Sequence, residues 1–448
     1  MRLKYNIIKQ LHKQFYMINS NTSPSNKINY NLLKSLVFNG AKDKNLDLSD
    51  LVLGRINYEL SIIESKGYED YFILYSRIIA VCNELNILRT YGRGSAANSI
   101  VNYCLDITKV NSIDENLVFA RFIHQLQFDL PDIDIDIPKG SQKKVIQLLK
   151  QKYPEYNTYY IVYVPIEDAN YDAVTHNNEK FKKYDFGLVI STDNISNQIF
   201  KFQDEEYCII RDISNDPVSR NKIDLVEQEY LNRLQLIVDE VGDNFHPYKL
   251  PLNDQKVFAY FASGDLENVF QFGTIQMEAV LSQFVPNSIR DLSIVYAMYR
   301  PGLCEYLPTV IKNKDLRSEQ FEYSDNRVSK ILNETYGVLV FQETFLHLTK
   351  EILDISFSDA ELWRRKIMRD KSKLELKNFT KIFGTACREK TSLSENEIDF
   401  LANSISLMLP KSFVKAHALS YSIMGYWCCY YKTYFREIFD DVFRREIA

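Results

Sequence analysis

Long apolar runs, paired cysteines and a surplus of charge are all missing from this sequence, and each absence excludes a class of protein. No eighteen consecutive apolar residues occur, so no membrane span is expected. The start, MRLKYNIIKQ, passes straight into mixed sequence and gives no sign of a signal peptide. A cytoplasmic protein with no membrane partner is the expectation. Seven cysteines (Cys82, Cys104, Cys208, Cys304, Cys387, Cys428 and Cys429) include no CxxC and lie near no histidine pair of zinc-ligand spacing. They read as buried thiols in a reducing compartment. A formal net charge of −5 argues against coating nucleic acid through bulk charge, although a local basic face remains open. No internal repeat is apparent. What is present is an ordinary globular composition, 46% hydrophobic and 25% charged over 448 residues, enough for two or three domains.

Residues 1–50 are rich in Asn, Ser and Lys, and INSNTSPSNKIN (18–29) has the composition of a mobile connector, so this stretch reads as an N-terminal appendage and linker. From Arg55 the pattern is helical: Ile56, Leu60 and Ile63 form one stripe that stops at Gly67, and YEDYFILYSRIIAVCNELNIL continues at three-to-four spacing. SQKKVIQLLKQKYP predicts a basic amphipathic helix. YNTYYIVYV and FGLVIST predict strands on either side of the polar stretch IEDANYDAVTHNNEKFKKYD. From about residue 252 onward the sequence is mostly helical.

Three segments carry chemistry. In LPDIDIDIP a strand would turn Asp132, Asp134 and Asp136 to one face and Ile133, Ile135 and Ile137 to the other. Carboxylates roughly 7 Å apart along a strand can converge on two Mg²⁺ ions about 4 Å apart, the spacing of phosphoryl-transfer sites. The bland alternative is a solvated strand face. In YGRGSAANS (91–99), Gly92 and Gly94 allow a tight turn around Arg93, and Ser95 is expected to open a helix whose free amides could take phosphate; such a turn is often only a loop-to-helix junction. The third element is basic: Arg364, Arg365, Lys366, Arg369, Lys371 and Lys373, followed by Lys415, His417 and Tyr421 in SFVKAHALSYS. It suits phosphate with interleaved aromatics, or a solvated helix face.

Together these segments resemble the alpha subunit of bacterial DNA polymerase III, the C-family replicative polymerases, over roughly residues 55–445 and in the family's order. The strings carrying the resemblance are INYELSIIESKGYEDYF, YGRGSAANSIVNYCLDIT, FARFIHQLQFDLPDIDIDI, VFQFGTIQM, MYRPGL, ETYGVLVFQE, LWRRKIM and FVKAHALSYSIMGYW. The resemblance implies an α+β protein: a polymerase-beta-like palm of mixed sheet with helices (51–235, with a reduced thumb replacement at about 139–184) and a large, truncated helical fingers region (236–448). It implies catalytic metal ligands at Asp134 and Asp136, with Asp224 in NKIDLVEQEYL as third carboxylate and Asp212 as fallback, holding two Mg²⁺. It further implies nucleotide binding by Arg93, Gly94, Ser95, Arg364, Arg365, Lys415 and His417. Primer-template DNA would be bound by Lys222, Arg300, Lys366, Arg369 and Lys371.

The chain also departs from the family pattern. The expectation is a protein without the amino-terminal phosphoesterase domain and without clamp-binding, OB or tau-binding parts after the fingers; the interval where the thumb lies is shortened, and KKYDFGLVI (182–190) stands where the family reads like GKHAAGVVI. The expectation is a non-processive DNA-directed DNA polymerase adding deoxynucleoside triphosphates to a primer, with an accessory protein supplying grip on DNA. Two other readings are a catalytically inactive DNA-binding relative and a template-independent nucleotidyltransferase.

Overall fold

The computed structural model describes residues 24–127, 129–163, 173–176, 179–192, 198–202, 205–210, 222–315 and 323–445. Helices Asp50–Lys66 and Glu69–Glu84 form the expected pair, and Gly67 ends the first in the left-handed region (φ 66°), where glycine meets no steric penalty. Ile56, Leu60 and Ile63 are fully buried on the predicted stripe.

The polar start behaves differently from its composition. Pro24–Asp43 is a helix, not a connector, and it buries Leu33, Val37 and Ala41 in the same core as the helix pair. Gly40 lies so close to the backbone of Cys104 that a Cβ there would sit 1.9 Å from its carbonyl oxygen. Three apolar residues at helical spacing outweigh the surrounding Asn and Lys.

Seven strands among the described residues form one mixed sheet: β1 (Asp134–Pro138), β2 (Asn157–Tyr163), β3 (Ala173–His176), β4 (Glu179–Ser191), β5 (Ile199–Phe202), β6 (Glu205–Ile210) and β7 (Lys222–Gln228). The order is β1-β7-β4-β2-β6-β5, with β3 on β4. β1 runs parallel to β7 with Asp134 opposite Asp224, and β7 runs antiparallel to β4 with Asp224 opposite Gly187. The predicted strand YNTYYIVYV (156–164) contains β2, with residue 164 outside the described residues, and FGLVIST (186–192) overlaps the end of β4. The stretch 139–184, where a reduced thumb replacement is expected, holds the helix Gln142–Lys152 and, in this sheet, β2, β3 and the start of β4 among its described residues.

Ile133, Ile135 and Ile137 back the aspartate strand and pack with Leu188, Ile223 and Leu225. Beyond β7 the described chain is helical, and its core gathers around the buried helix Lys415–Tyr434, which packs on Ile289–Met298. Leu88, Val118 and Ala120 from the sheet-bearing half join this second core, so the two halves share packing next to the aspartate strand.

Candidate active site

β1 is an edge strand, and the helix Glu69–Glu84 with its preceding residue fixes the approach to it. Tyr68, Tyr71 and Tyr75, spaced on one helical face, donate their hydroxyls to the carbonyls of Asp129 (2.9 Å), Pro131 (2.7 Å) and Ile133 (2.5 Å). These bonds hold the segment that leads into β1 and set the height at which Asp132 and Asp134 emerge.

One carboxylate oxygen each from Asp132, Asp134 and Asp224 lies within 4.8 Å of the others. Burial, then the neighbouring carboxylates of Asp132 and Asp224, push the pKa of Asp134 up to about 7. Asp224 is also raised, by burial first, with Lys222 working against it. Its Oδ2 pairs with Lys222 Nζ at 2.9 Å, whereas its Oδ1 is buried without a hydrogen-bond partner. Three crowded acids with an orphaned buried oxygen fit a divalent cation.

A pH dependence follows. A carboxyl group whose folded pKa exceeds its unfolded value stabilises the fold at low pH, and that contribution is lost as pH rises through the folded pKa. The metal-free protein is therefore expected to lose thermal stability between about pH 4 and pH 7, and Mg²⁺ to raise the melting temperature more at pH 8 than at pH 5. Melting curves in EDTA and in Mg²⁺ check this, and Asp134→Asn should flatten the EDTA profile.

Asp136, expected as a metal ligand, lies outside the converging trio; Asp132 takes that place. Asp136 is buried and surrounded by donors: Thr90 Oγ1 (3.0 Å), Arg93 Nη1 (3.0 Å), Gln228 Nε2 (3.2 Å) and Tyr421 OH (3.3 Å). Burial raises its pKa, with Arg93 the largest opposing influence. Arg93 also lies 3.4 Å from Asp134 and donates to Tyr421 OH at 2.7 Å. It therefore binds two carboxylates of the row. Asp212 lies outside the described residues.

The glycine turn holds its predicted place but not its predicted helix. Gly92 and Gly94 both have positive φ (148° and 60°), yet Ser95 precedes only a 3-10 turn, Ala96–Asn98. The five-residue helix Ile100–Cys104 starts after Ser99, and its first amides are already bound: buried Glu59 accepts from Ile100 N, Val101 N and Ser99 Oγ. The Gly94 amide donates to His417 Nδ1 at 3.0 Å. Burial, with Arg93 and Arg300 nearby, lowers His417 to about 4, so it is a neutral acceptor here and not the cation expected.

Three other expected phosphate ligands, Arg364, Arg365 and Lys415, pair with acids of the chain. Arg364 is buried and bound twice by Glu361 at 2.7 Å, and Glu361 also accepts from Arg365 at 2.8 Å. Lys415 is buried against Glu334 and the Glu115 carbonyl. Lys366, Arg369 and Lys371 are exposed around the end of the helix Phe357–Arg369.

Arg300 lies over the Phe413 ring at 4.5 Å and lines a cavity of about 510 Å³ with Tyr230, Asn268, Gln271, Tyr296 and Met277 among others. Tyr296 also flanks His417 and Tyr421, which joins this cavity to the Arg93–Asp136 cluster. The reading from sequence missed Thr90, Gln228 and Tyr184. Gln228 carried a signal, since it shares a face of β7 with Asp224 at period two.

A mixed sheet with an acidic edge, set against a helical block, defines a polymerase-beta-like palm joined to fingers. Two family models match: the bacterial DNA polymerase III alpha NTPase domain over residues 31–205 and the bacterial DNA polymerase III alpha subunit finger domain over residues 228–391. The chain belongs to the bacterial DNA polymerase III alpha family. Among curated proteins it is similar to three that are each named DNA polymerase III subunit alpha. That of Ureaplasma parvum is 26% identical, covering 91% of this chain and 49% of the relative. That of Staphylococcus aureus is 27% identical (88% and 43%), and that of Mycoplasma pneumoniae 27% identical (86% and 51%). The chain spans about half the length of the curated relatives it matches. No helix among the described residues is long and apolar enough to cross a membrane.

Proposed function

We propose that this chain adds deoxynucleotides to a primer 3′ end under the direction of a DNA template, with palm residues 51–235 carrying the chemistry and fingers residues 236–448 closing over the nucleotide. The observation that carries this reading is the convergence of one carboxylate oxygen each from Asp132, Asp134 and Asp224 to within 4.8 Å of one another. When bound there, Mg²⁺ would polarise the reacting phosphate and lower the pKa of the primer hydroxyl.

The chain's own residues prepare and orient the site. Asp134 and Asp224 are held across one rung of the β1–β7 pair, so their spacing is set by backbone register. Arg93 neutralises Asp134 and Asp136 in the resting arrangement; with a cation held at Asp134, its guanidinium beside Gly94 would be available to a triphosphate. The cavity with Tyr296, Phe413 and Arg300 has the size and aromatic walls to take a nucleobase and sugar. Arg300, Lys366, Arg369 and Lys371 offer cations to DNA phosphate, and any further grip would come from an accessory protein.

Extension of a labelled primer by the wild-type chain tests the proposal, with and without template and with Mg²⁺ or EDTA. Incorporation is expected only with template and Mg²⁺. Template-free extension would point to a terminal transferase. DNA binding without incorporation would point to an inactive relative, a reading that the internal pairing of Arg364 and Lys415 favours.

A further inference from the structure

Lys222 is pinned more tightly than a lysine on a strand end needs to be. Its ammonium group bonds Asp224 Oδ2 at 2.9 Å, donates to the Tyr184 hydroxyl at 3.2 Å and lies 4.7 Å from the centre of the Tyr184 ring.

The backbone is shaped to bring that ring in. The β2–β4 ladder breaks register between Tyr160 and Ile161: Tyr160 pairs with Leu188, and the next residue, Ile161, pairs with Tyr184. Residues 185–187 of β4 thus form a bulge, a device that re-aims a side chain beside a site. Within it, Gly187 stands opposite Asp224, and a Cβ on Gly187 would come within 2.5 Å of the Tyr184 ring and 2.9 Å of Asp224 Oδ1. The ring therefore lies on bare strand backbone, and Tyr163 packs edge-on against it at 5.3 Å. Tyr184 also occupies a position where the sequence departs from the family string.

We propose that Tyr184 is a positioning residue for the divalent-ion site: it holds Lys222 on Oδ2 of Asp224 and so keeps Oδ1 open as the oxygen offered to a cation. This rests on the reading of the acidic trio given above. Without the tyrosine hydroxyl, the ammonium group is free to turn across the carboxylate and compete with the cation for both oxygens.

The test is Mn²⁺ binding to the metal-free chain, followed by electron paramagnetic resonance with no DNA or nucleotide. Tyr184→Phe keeps the ring and removes the hydroxyl. It is expected to weaken Mn²⁺ binding roughly 3- to 10-fold, the weight of one ordinary hydrogen bond. In primer extension the Mg²⁺ midpoint should shift by the same factor, while the rate at saturating Mg²⁺ stays within about twofold. In a Lys222→Met background the Tyr184→Phe change should lose most of its effect, the remainder being the tyrosine's direct bond to Asp224.

Unchanged Mn²⁺ affinity in Tyr184→Phe, with Asp224→Asn abolishing binding, overturns this inference and leaves the metal site standing. An equal Tyr184→Phe loss in the Lys222→Met background overturns it too, since the route through the lysine is then wrong. If Asp224→Asn leaves Mn²⁺ binding intact, or the wild type binds none, the reading of the acidic trio fails and this inference fails with it.

Discussion

Asp224→Asn is expected to lower kcat/KM for Mg²⁺-dependent primer extension by at least ~1000-fold, as befits loss of a ligand that stabilises transition-state charge. The change keeps the side chain's size and its place opposite Gly187, but removes the negative charge that pairs with Lys222 and the oxygen that has no protein partner. Primer-template binding, measured by fluorescence anisotropy, should stay level or tighten, because a negative charge near phosphate has been removed. Extension within tenfold of wild type would show that Asp224 is not a ligand, despite its place in the trio.

Arg93→Ala is expected to act twice. In the resting protein it removes the one charged donor to Asp136, a buried carboxylate left with Thr90, Gln228 and Tyr421. Loss of a partner from a buried pair commonly costs 3–5 kcal/mol, and the partial exposure of Arg93 reduces that to about 2 kcal/mol. In catalysis it removes a guanidinium next to the Gly94 turn, so KM for the nucleotide should rise more than tenfold and kcat/KM fall ~100-fold. Arg93→Lys should recover little, since a single ammonium group cannot reach Asp134, Asp136 and Tyr421 from one planar fork. Chemical denaturation and steady-state kinetics separate the two effects. Nucleotide KM unchanged in Arg93→Ala would confine Arg93 to a structural role.

The aspartate strand was legible because period two, isoleucine backing and a proline at each end leave few other ways to fold LPDIDIDIP. The helix pair and its stop at Gly67 were legible for the same reason. Which aspartate binds its neighbours and which is bound by the protein was not, because all three share one face. The difference lies in Thr90, Arg93, Gln228 and Tyr421, brought from three other segments.

A run of cations likewise shows its charge in sequence but hides its partners. Lys415 is neutralised by Glu334, far away in the chain. Glu361 stands three and four residues before Arg364 and Arg365, a helical spacing that carried the signal of their pairing although the reading from sequence passed it over. Composition misjudged Pro24–Asp43 because a core contact needs only a stripe, and Leu33, Val37 and Ala41 supply one.

The parallel pairing of β1 with β7 has a consequence for how this protein can be altered. The two carboxylates facing each other across that pair are fixed by hydrogen-bond register, and a slip of one residue would turn either of them to the opposite side. Whatever chain joins the two strands has no say in their spacing, and lengthening a connection costs little entropy once its ends are anchored. The spacing of the two carboxylates is thus independent of the connections between strands, and a connection that leaves β4 in place, with Gly187 opposite Asp224 and Tyr184 on Lys222, is the natural place to graft a DNA-gripping module.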